Sequence, residues 1–308
     1  MFRMQLIPSG TNIPFMSWRK IFFVVSTVLV FGSIVLFLAR GLNYGIDFQG
    51  GILLDVRTQG PANIADMRTQ INGLGLGEVS LQGFGAPDDV LIRLQKQDGG
   101  DKAQQDAVEK VKAVLGSGVE YRRTEVVGPQ VSNELFLDGI YAVCLAMIAI
   151  LIYIWFRFEW QFGVGALVAL VHDVLGTIGV FAILQWEFNL STVAAVLTIA
   201  GYSINDTVVV FDRIRENLRK YKTMSFLDLL NRSINETLSR TIMTSLTTLV
   251  ALFSLYIFGG EVIRGFSFAM IFGILIGTYS SICVAAPLML YMKVPRRANQ
   301  EAAAKASP

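Results

Sequence analysis

Six runs of apolar residues, each long enough to cross a bilayer, divide this chain and leave it one class of fold. A helix needs about 20 apolar residues to span the hydrocarbon. Only helices and closed barrels satisfy their own backbone there. The runs fall at 21–39, 140–156, 162–184, 192–211, 242–258 and 266–292. They explain why only 16% of the 308 residues are charged, against about 25% in a soluble domain. These runs predict an α-helical membrane protein with six transmembrane helices. The first run is too long for the core of a secretory signal, and Leu38-Ala39-Arg40 is a poor cleavage site, so it reads as a retained helix.

Lysine and arginine in the short flanks set the orientation. Arg3, Arg19 and Lys20 precede the first span, and Arg157 lies between the second and third. Seven basic residues from Arg213 to Arg240 lie between the fourth and fifth, and Lys293, Arg296 and Arg297 follow the sixth. The opposite short loops, 185–191 and 259–265, hold only Arg264. Both termini, 1–20 and 293–308, are therefore expected in the cytoplasm, and the tail carries no motif. Trp18, Trp155, Trp160 and Trp186 all sit at span ends, as an aromatic belt requires.

The polar insert 40–137 is then on the outer side. Alternation marks strands at 52–57, 78–84, 90–95 and 119–127, and helical spacing marks 61–74 and 101–115. Strand, helix, strand, strand, helix, strand is the ferredoxin-like α+β plan. On the inner side, 212–240 reads as a loop containing an amphipathic helix. Ser225 starts it, and Phe226, Leu229, Leu230, Ile234 and Leu238 share one face. That helix is expected at the membrane interface, with docking on other loops as the alternative.

A few ionisable groups sit inside the apolar runs. A charge in hydrocarbon costs several kcal/mol, roughly 2.5–3.5 on insertion scales. In the fourth span Thr198, Tyr202 and Asp206 recur every four residues, with Asn205 beside them. In the fifth, Arg240, Thr244 and Thr248 repeat that spacing. Two polar stripes on consecutive helices are expected to face each other. His172 and Asp173 lie roughly 16 Å into the third span at 1.5 Å per residue. A carboxylate whose arginine partner can withdraw has a proton affinity that depends on conformation. Asp206, Arg240 and Asp173, with Thr198, Tyr202, Asn205 and Thr244, are thus candidates for a proton pathway. A static buried Asp–Arg pair is the alternative. Ala269, Gly273, Gly277, Ser281 and Ala285 form a small-residue row in the sixth span, which lets another helix approach closely.

Other classes find no support. One histidine inside a span supplies neither a metal site nor a Ser-His-Asp arrangement. Gly73-Leu74-Gly75-Leu76-Gly77 lacks the features of a phosphate-binding loop. No cofactor and no enzymatic activity are expected. No basic block with interleaved aromatics suits nucleic acid. Cys144 and Cys283 lie in apolar runs and read as small buried hydrophobes.

Several segments carry a resemblance. Asn43-Tyr44-Gly45-Ile46-Asp47-Phe48-Gln49-Gly50-Gly51 follows the first span, and Val127-Gly128-Pro129-Gln130-Val131-Ser132-Asn133-Glu134-Leu135 precedes the second. His172-Asp173, the run from Gly201 to Asn217, Arg240-Thr241 and Phe258-Gly259-Gly260 follow in order. Over about residues 20–292 the chain resembles the SecF branch of the SecD/SecF family of protein-export membrane subunits. That resemblance implies half of an RND-like fold and a bacterial inner-membrane location. It also implies partnership with SecD, the SecYEG channel, YajC and a translocating pre-protein, and use of the proton gradient for export. The family's intramembrane Asp and Arg fall on Asp206 and Arg240. Gly45, Gly50 and Gly51 are expected to let the backbone turn, with Gly50-Gly51 as a hinge and Asp47 as a local cap.

Overall fold

The structure is a computed structural model that describes residues 8, 11–83, 85–292 and 294. The expected cytoplasmic tail therefore lies almost wholly outside the described residues, as does Phe84 at the end of one expected strand. The described elements run as follows: α1 Arg19–Arg40, β1 Asn43–Tyr44, α2 Ile46–Gln49, β2 Gly51–Thr58, α3 Ile64–Asn72, β3 Val79–Gly83, β4 Asp89–Leu94, α4 Gly100–Leu115 and β5 Val119–Val127. Then come α5 Pro129–Arg157, α6 Trp160–Leu184, β6 Glu187–Phe188, α7 Leu190–Lys220, α8 Phe226–Phe258 and α9 Glu261–Ser280. The last helix continues through a π-helical turn, Ser281–Ala285, into Ala286–Leu288. Among the described residues, six helices are long and apolar enough to cross a membrane.

Two compact units emerge: 43–142 with 187–193, and the remaining residues. In the first, β2–β5 form an antiparallel sheet in the order β3-β4-β2-β5. Ile52, Leu54 and Val56 of β2 are fully buried against Ile71 of α3 and Val111 of α4, because alternation puts one face of the strand on the helices. Arg122 is the extra residue in β5 where the register shifts beside Asp55 and Val56. Asp89 takes hydrogen bonds from Arg57 at 2.7 and 2.9 Å and from Arg122 at 2.9 Å. Those donors, Arg57 first, hold its carboxyl below the usual carboxylate range. Asp55 is buried with one oxygen unpartnered, and burial pushes its carboxyl up.

The second unit is built on close helix approach. Gly179 of α6 leaves no room for a Cβ beside Ser33 of α1, and Gly273 of α9 leaves none beside Ile199 of α7. A Cβ on Gly277 would lie 3.0 Å from that of Ser203. The row of small residues in the sixth span thus meets the fourth span of the same chain. Its four-residue repeat drifts by about 40° per step on a 3.6-residue helix. The wider π-turn takes back part of that drift, and Ala269 and Ala285 are both fully buried.

Two boundaries differ from expectation. Helix α5 begins at Pro129, well before the expected span, because the motif after β5 carries no helix breaker beyond its first turn. The segment 212–240 is not a loop with an interfacial helix. It is the end of α7, a short turn and the first half of α8. Leu229, Leu230 and Ile234 are fully buried in a core with Met16, Phe211 and Ile214. Their apolar face is covered by protein, so it has nothing left to lay on lipid. Asn235 holds Ile13 by both its backbone N–H and its carbonyl at 2.9 Å, and Asn231 accepts from Met16 N at 2.9 Å.

Candidate functional site

Two buried aspartates distinguish the membrane helices, and their surroundings are opposite. Asp173 of α6 is 0% exposed. Its Oδ1 meets His172 Nδ1 at 2.9 Å. Its Oδ2 accepts from Ser203 Oγ of α7 at 2.5 Å and from Ser280 Oγ of α9 at 2.7 Å. Both oxygens are therefore occupied, by donors from three helices. Thr177 bonds the Asp173 carbonyl at 2.8 Å. The His172 ring stacks on Tyr279, 5.9 Å between centroids, and its Nε2 has no partner. Tyr279 in turn reaches Ser26 Oγ and the Phe22 carbonyl of α1, both at 3.1 Å.

Asp206 of α7 is 3% exposed, and its Oδ2 has no hydrogen-bond partner. Tyr202, one turn earlier, also has an unpartnered buried hydroxyl, as does Thr241 of α8. The neighbour Thr207 bonds Ser281 at 2.8 Å, at the first residue of the π-turn. Arg240 is exposed. Among the described residues no ion pair within 4.0 Å joins it to Asp206.

The two threonine stripes do not bond to each other. Thr198 donates to the Ala194 carbonyl, Thr244 to Arg240 and Thr241, and Thr248 to Thr244, all on their own helices. Thr198 and Asn205 are exposed. A hydroxyl in an apolar helix can satisfy itself one turn back, so spacing alone does not make threonines a pathway. Sequence reasoning passed over Ser203, Tyr279 and Ser280. The run Thr278-Tyr279-Ser280-Ser281, four polar groups in an apolar span, was the available signal.

The glycine motif occupies the other unit. Gly45 N–H donates to the Phe188 carbonyl at 2.9 Å, alongside the parallel β1–β6 pair. Asp47 Oδ2 accepts from Leu190 N at 2.8 Å, at the first residue of α7. It therefore caps a helix 143 residues away rather than its own. Gly50 and Gly51 have φ of 72° and 126°, and a Cβ on Gly51 would lie 2.5 Å from the Leu94 carbonyl oxygen. Phe48, Phe136, Phe188 and Tyr44 pack edge to face around this turn. No group of three or more metal-ligating side chains exists among the described residues.

The family model for the C-terminal part of the protein export membrane protein SecD/SecF matches residues 107–295. The chain belongs to the SecD/SecF family. The SecD/SecF GG motif matches residues 35–62, which contain Gly45, Asp47, Gly50 and Gly51. Among SecF relatives, protein translocase subunit SecF of Cereibacter sphaeroides is 48% identical, over 96% of this chain and 94% of its own length. That of Rickettsia rickettsii is 44% identical, over 97% and 98%. The crystal structure of SecDF, a translocon-associated membrane protein from Thermus thermophilus, superposes with a TM-score of 0.83 at 36% identity. It covers 92% of this chain and 39% of that one. This SecD/SecF-family chain is a multi-pass membrane protein, and both of the buried aspartates described above lie in its apolar helices, Asp173 on α6 and Asp206 on α7.

Proposed function

We propose that the chain is an accessory subunit of the Sec translocase that uses the proton-motive force, with Asp206 as the group that takes up and releases the proton. The supporting observation is the contrast between its unpartnered Oδ2 and the fully bonded Asp173. A carboxyl buried without donors is stable when neutral and demands a counter-charge when ionised. Asp206 thus exchanges a proton as a counter-charge approaches or withdraws. Arg240, or a group from a partner chain, supplies that charge. Tyr202, Asn205, Thr198 and Thr244 line the approach. Asp173 is assigned a different task, holding three helices together.

SecD is the partner, in line with a SecDF relative more than twice as long as this chain. The complex works in the bacterial inner membrane with SecYEG, YajC and the translocating pre-protein. The α+β unit, a ferredoxin-like domain, lies on the periplasmic side and both termini are cytoplasmic, as the Lys and Arg distribution requires. One proton crossing 100 mV supplies roughly 2.3 kcal/mol, enough to bias two conformations separated by a few kcal/mol.

Asp206→Asn keeps the shape and removes the charge. The expected result is a complex that assembles with SecD while gradient-driven export in inverted membrane vesicles falls to the gradient-free level. Undiminished gradient-driven export would favour a subunit that holds the complex together while SecD alone carries the ions.

A further inference from the structure

We propose that a cleft between the α5–α6 turn and the end of α7 binds a phosphate group, supplied by the headgroup of an anionic phospholipid. The cleft has a volume of about 570 Å³ and is lined by Arg157, Asp212, Arg215, Glu216, Arg219 and Lys220. Both carboxylates are already matched: Asp212 by Arg157 at 2.7 Å, and Glu216 by Arg213, outside the lining, at 3.0 Å. Arg215 is only 3.9 Å from Asp212. Arg219 and Lys220 have no carboxylate within 4.0 Å among the described residues. The cleft therefore holds cationic charge in excess of what its own acids neutralise.

The guanidinium groups are also pre-arranged. Arg157 and Arg215 both lie over the Phe158 ring, 4.9 and 5.3 Å from its centre, and Arg215 bonds the Arg157 carbonyl at 3.3 Å. Planar guanidinium groups held in this way present a fixed set of N–H donors to a phosphate. The cleft is flanked by two helix C-termini, whose dipoles disfavour an anion, so the side chains must supply the attraction.

The source of the phosphate follows from the neighbours. Trp155, Phe156 and Trp160 are 75%, 87% and 58% exposed beside Arg157. Exposed aromatic side chains at a helix end mark the depth of the headgroups. Acyl chains alongside them would add apolar contact that a free phosphate lacks. Basic pockets between membrane helices are suited to such headgroups.

The test uses the full chain in detergent, with native mass spectrometry counting retained phosphatidylglycerol or phosphatidylcholine of identical acyl chains. Phosphatidylglycerol should be held preferentially. Each cation near an anionic group is worth about a fivefold factor, so Arg219→Gln with Lys220→Gln should weaken retention about 30-fold. Lys20→Gln with Lys222→Gln removes the same charge outside the cleft and should leave retention unchanged. Millimolar glycerol phosphate should fail to displace the lipid; full displacement would make a soluble phosphate the ligand and overturn the lipid assignment. Equal retention of the two lipids, or equal loss in the two double variants, would overturn the site itself.

Discussion

Asp173 should tolerate asparagine and reject alanine. Its two oxygens accept from Ser203, Ser280 and His172. In Asp173→Asn the amide oxygen can keep both hydroxyls, while the new NH₂ faces His172 Nδ1. That donor clash resolves if the imidazole proton moves to Nε2, which has no partner to lose. Removing a buried charge offsets the weaker hydrogen bonds, so the net change is expected within about 1 kcal/mol. Asp173→Ala strands the donors instead. Ser280 still reaches the Gly277 carbonyl at 3.1 Å, leaving Ser203 and His172 orphaned. At roughly 1–3 kcal/mol each, the loss is about 2–6 kcal/mol. Thermal unfolding of detergent-purified Cys144→Ser protein, followed by a thiol-reactive fluorophore on the buried Cys283, reads both variants. Alanine should lower the midpoint by roughly 5–10 °C and asparagine by little. Equal damage from the two would show that the charge, not the donor count, matters, and would return Asp173 to the ion pathway. An alanine variant as stable as the parent would refute the clamp.

Other expectations concern the α+β unit and the N-terminal segment. Gly51→Ala should cost more than about 2 kcal/mol, since a positive φ is combined with a carbonyl in the way. Gly75→Ala, at φ 66° with open space, should cost about 1 kcal/mol. Hydrogen exchange of β2 peptides in the intact protein separates the two. Asp55→Asn should increase protection of β2 at pH 7. The raised Asp55 carboxyl makes the native state bind protons more tightly, so its ionisation opposes folding above that value. The gain should vanish as pH falls toward the ordinary carboxylate range. Asp89 behaves oppositely: its contribution is present at neutral pH and lost as pH falls through its lowered value, and Arg57→Gln should flatten that loss. Asn235→Ala removes both bonds to Ile13, so limited proteolysis should cut within residues 11–14 faster than in the parent.

Period and length made the architecture legible. The four strands of the sheet stand within a few residues of where alternation puts them, and each of the six apolar runs lies in a long helix, although α5, α7 and α8 extend well beyond their runs. The failures have a common physical origin. The face formed by Leu229, Leu230 and Ile234 is amphipathic whether it meets lipid or Met16 and Phe211, and the pattern cannot tell which. The two-residue β1–β6 pair joins segments 144 residues apart and has no periodicity to read. The stripes built on Thr198 and Thr244 do not bond to each other, because each threonine hydroxyl bonds a carbonyl of its own helix. Asp47 was legible as a cap, though not that it caps α7 from a distant segment.

The two aspartates explain why burial alone is a poor guide to function. Asp173 and Asp206 are almost equally hidden, at 0% and 3% exposure, and both lie in apolar helices. What separates them is the donor supply. Three donors converge on Asp173, because Ser203 projects from α7 and Ser280 from α9 at the level of α6 where the small residues let the helices meet. One residue later in α9, Ser281 turns to Thr207, beside Asp206. The π-turn starts at that residue, so the bonded carboxyl and the unpartnered one are joined through adjacent serines of one helix. Single π-turns inside α-helices are frequent at functional sites. A shift of α7 at Asp206 would act on that turn through the Thr207–Ser281 bond, while the Asp173 bonds tie α7 and α9 to α6.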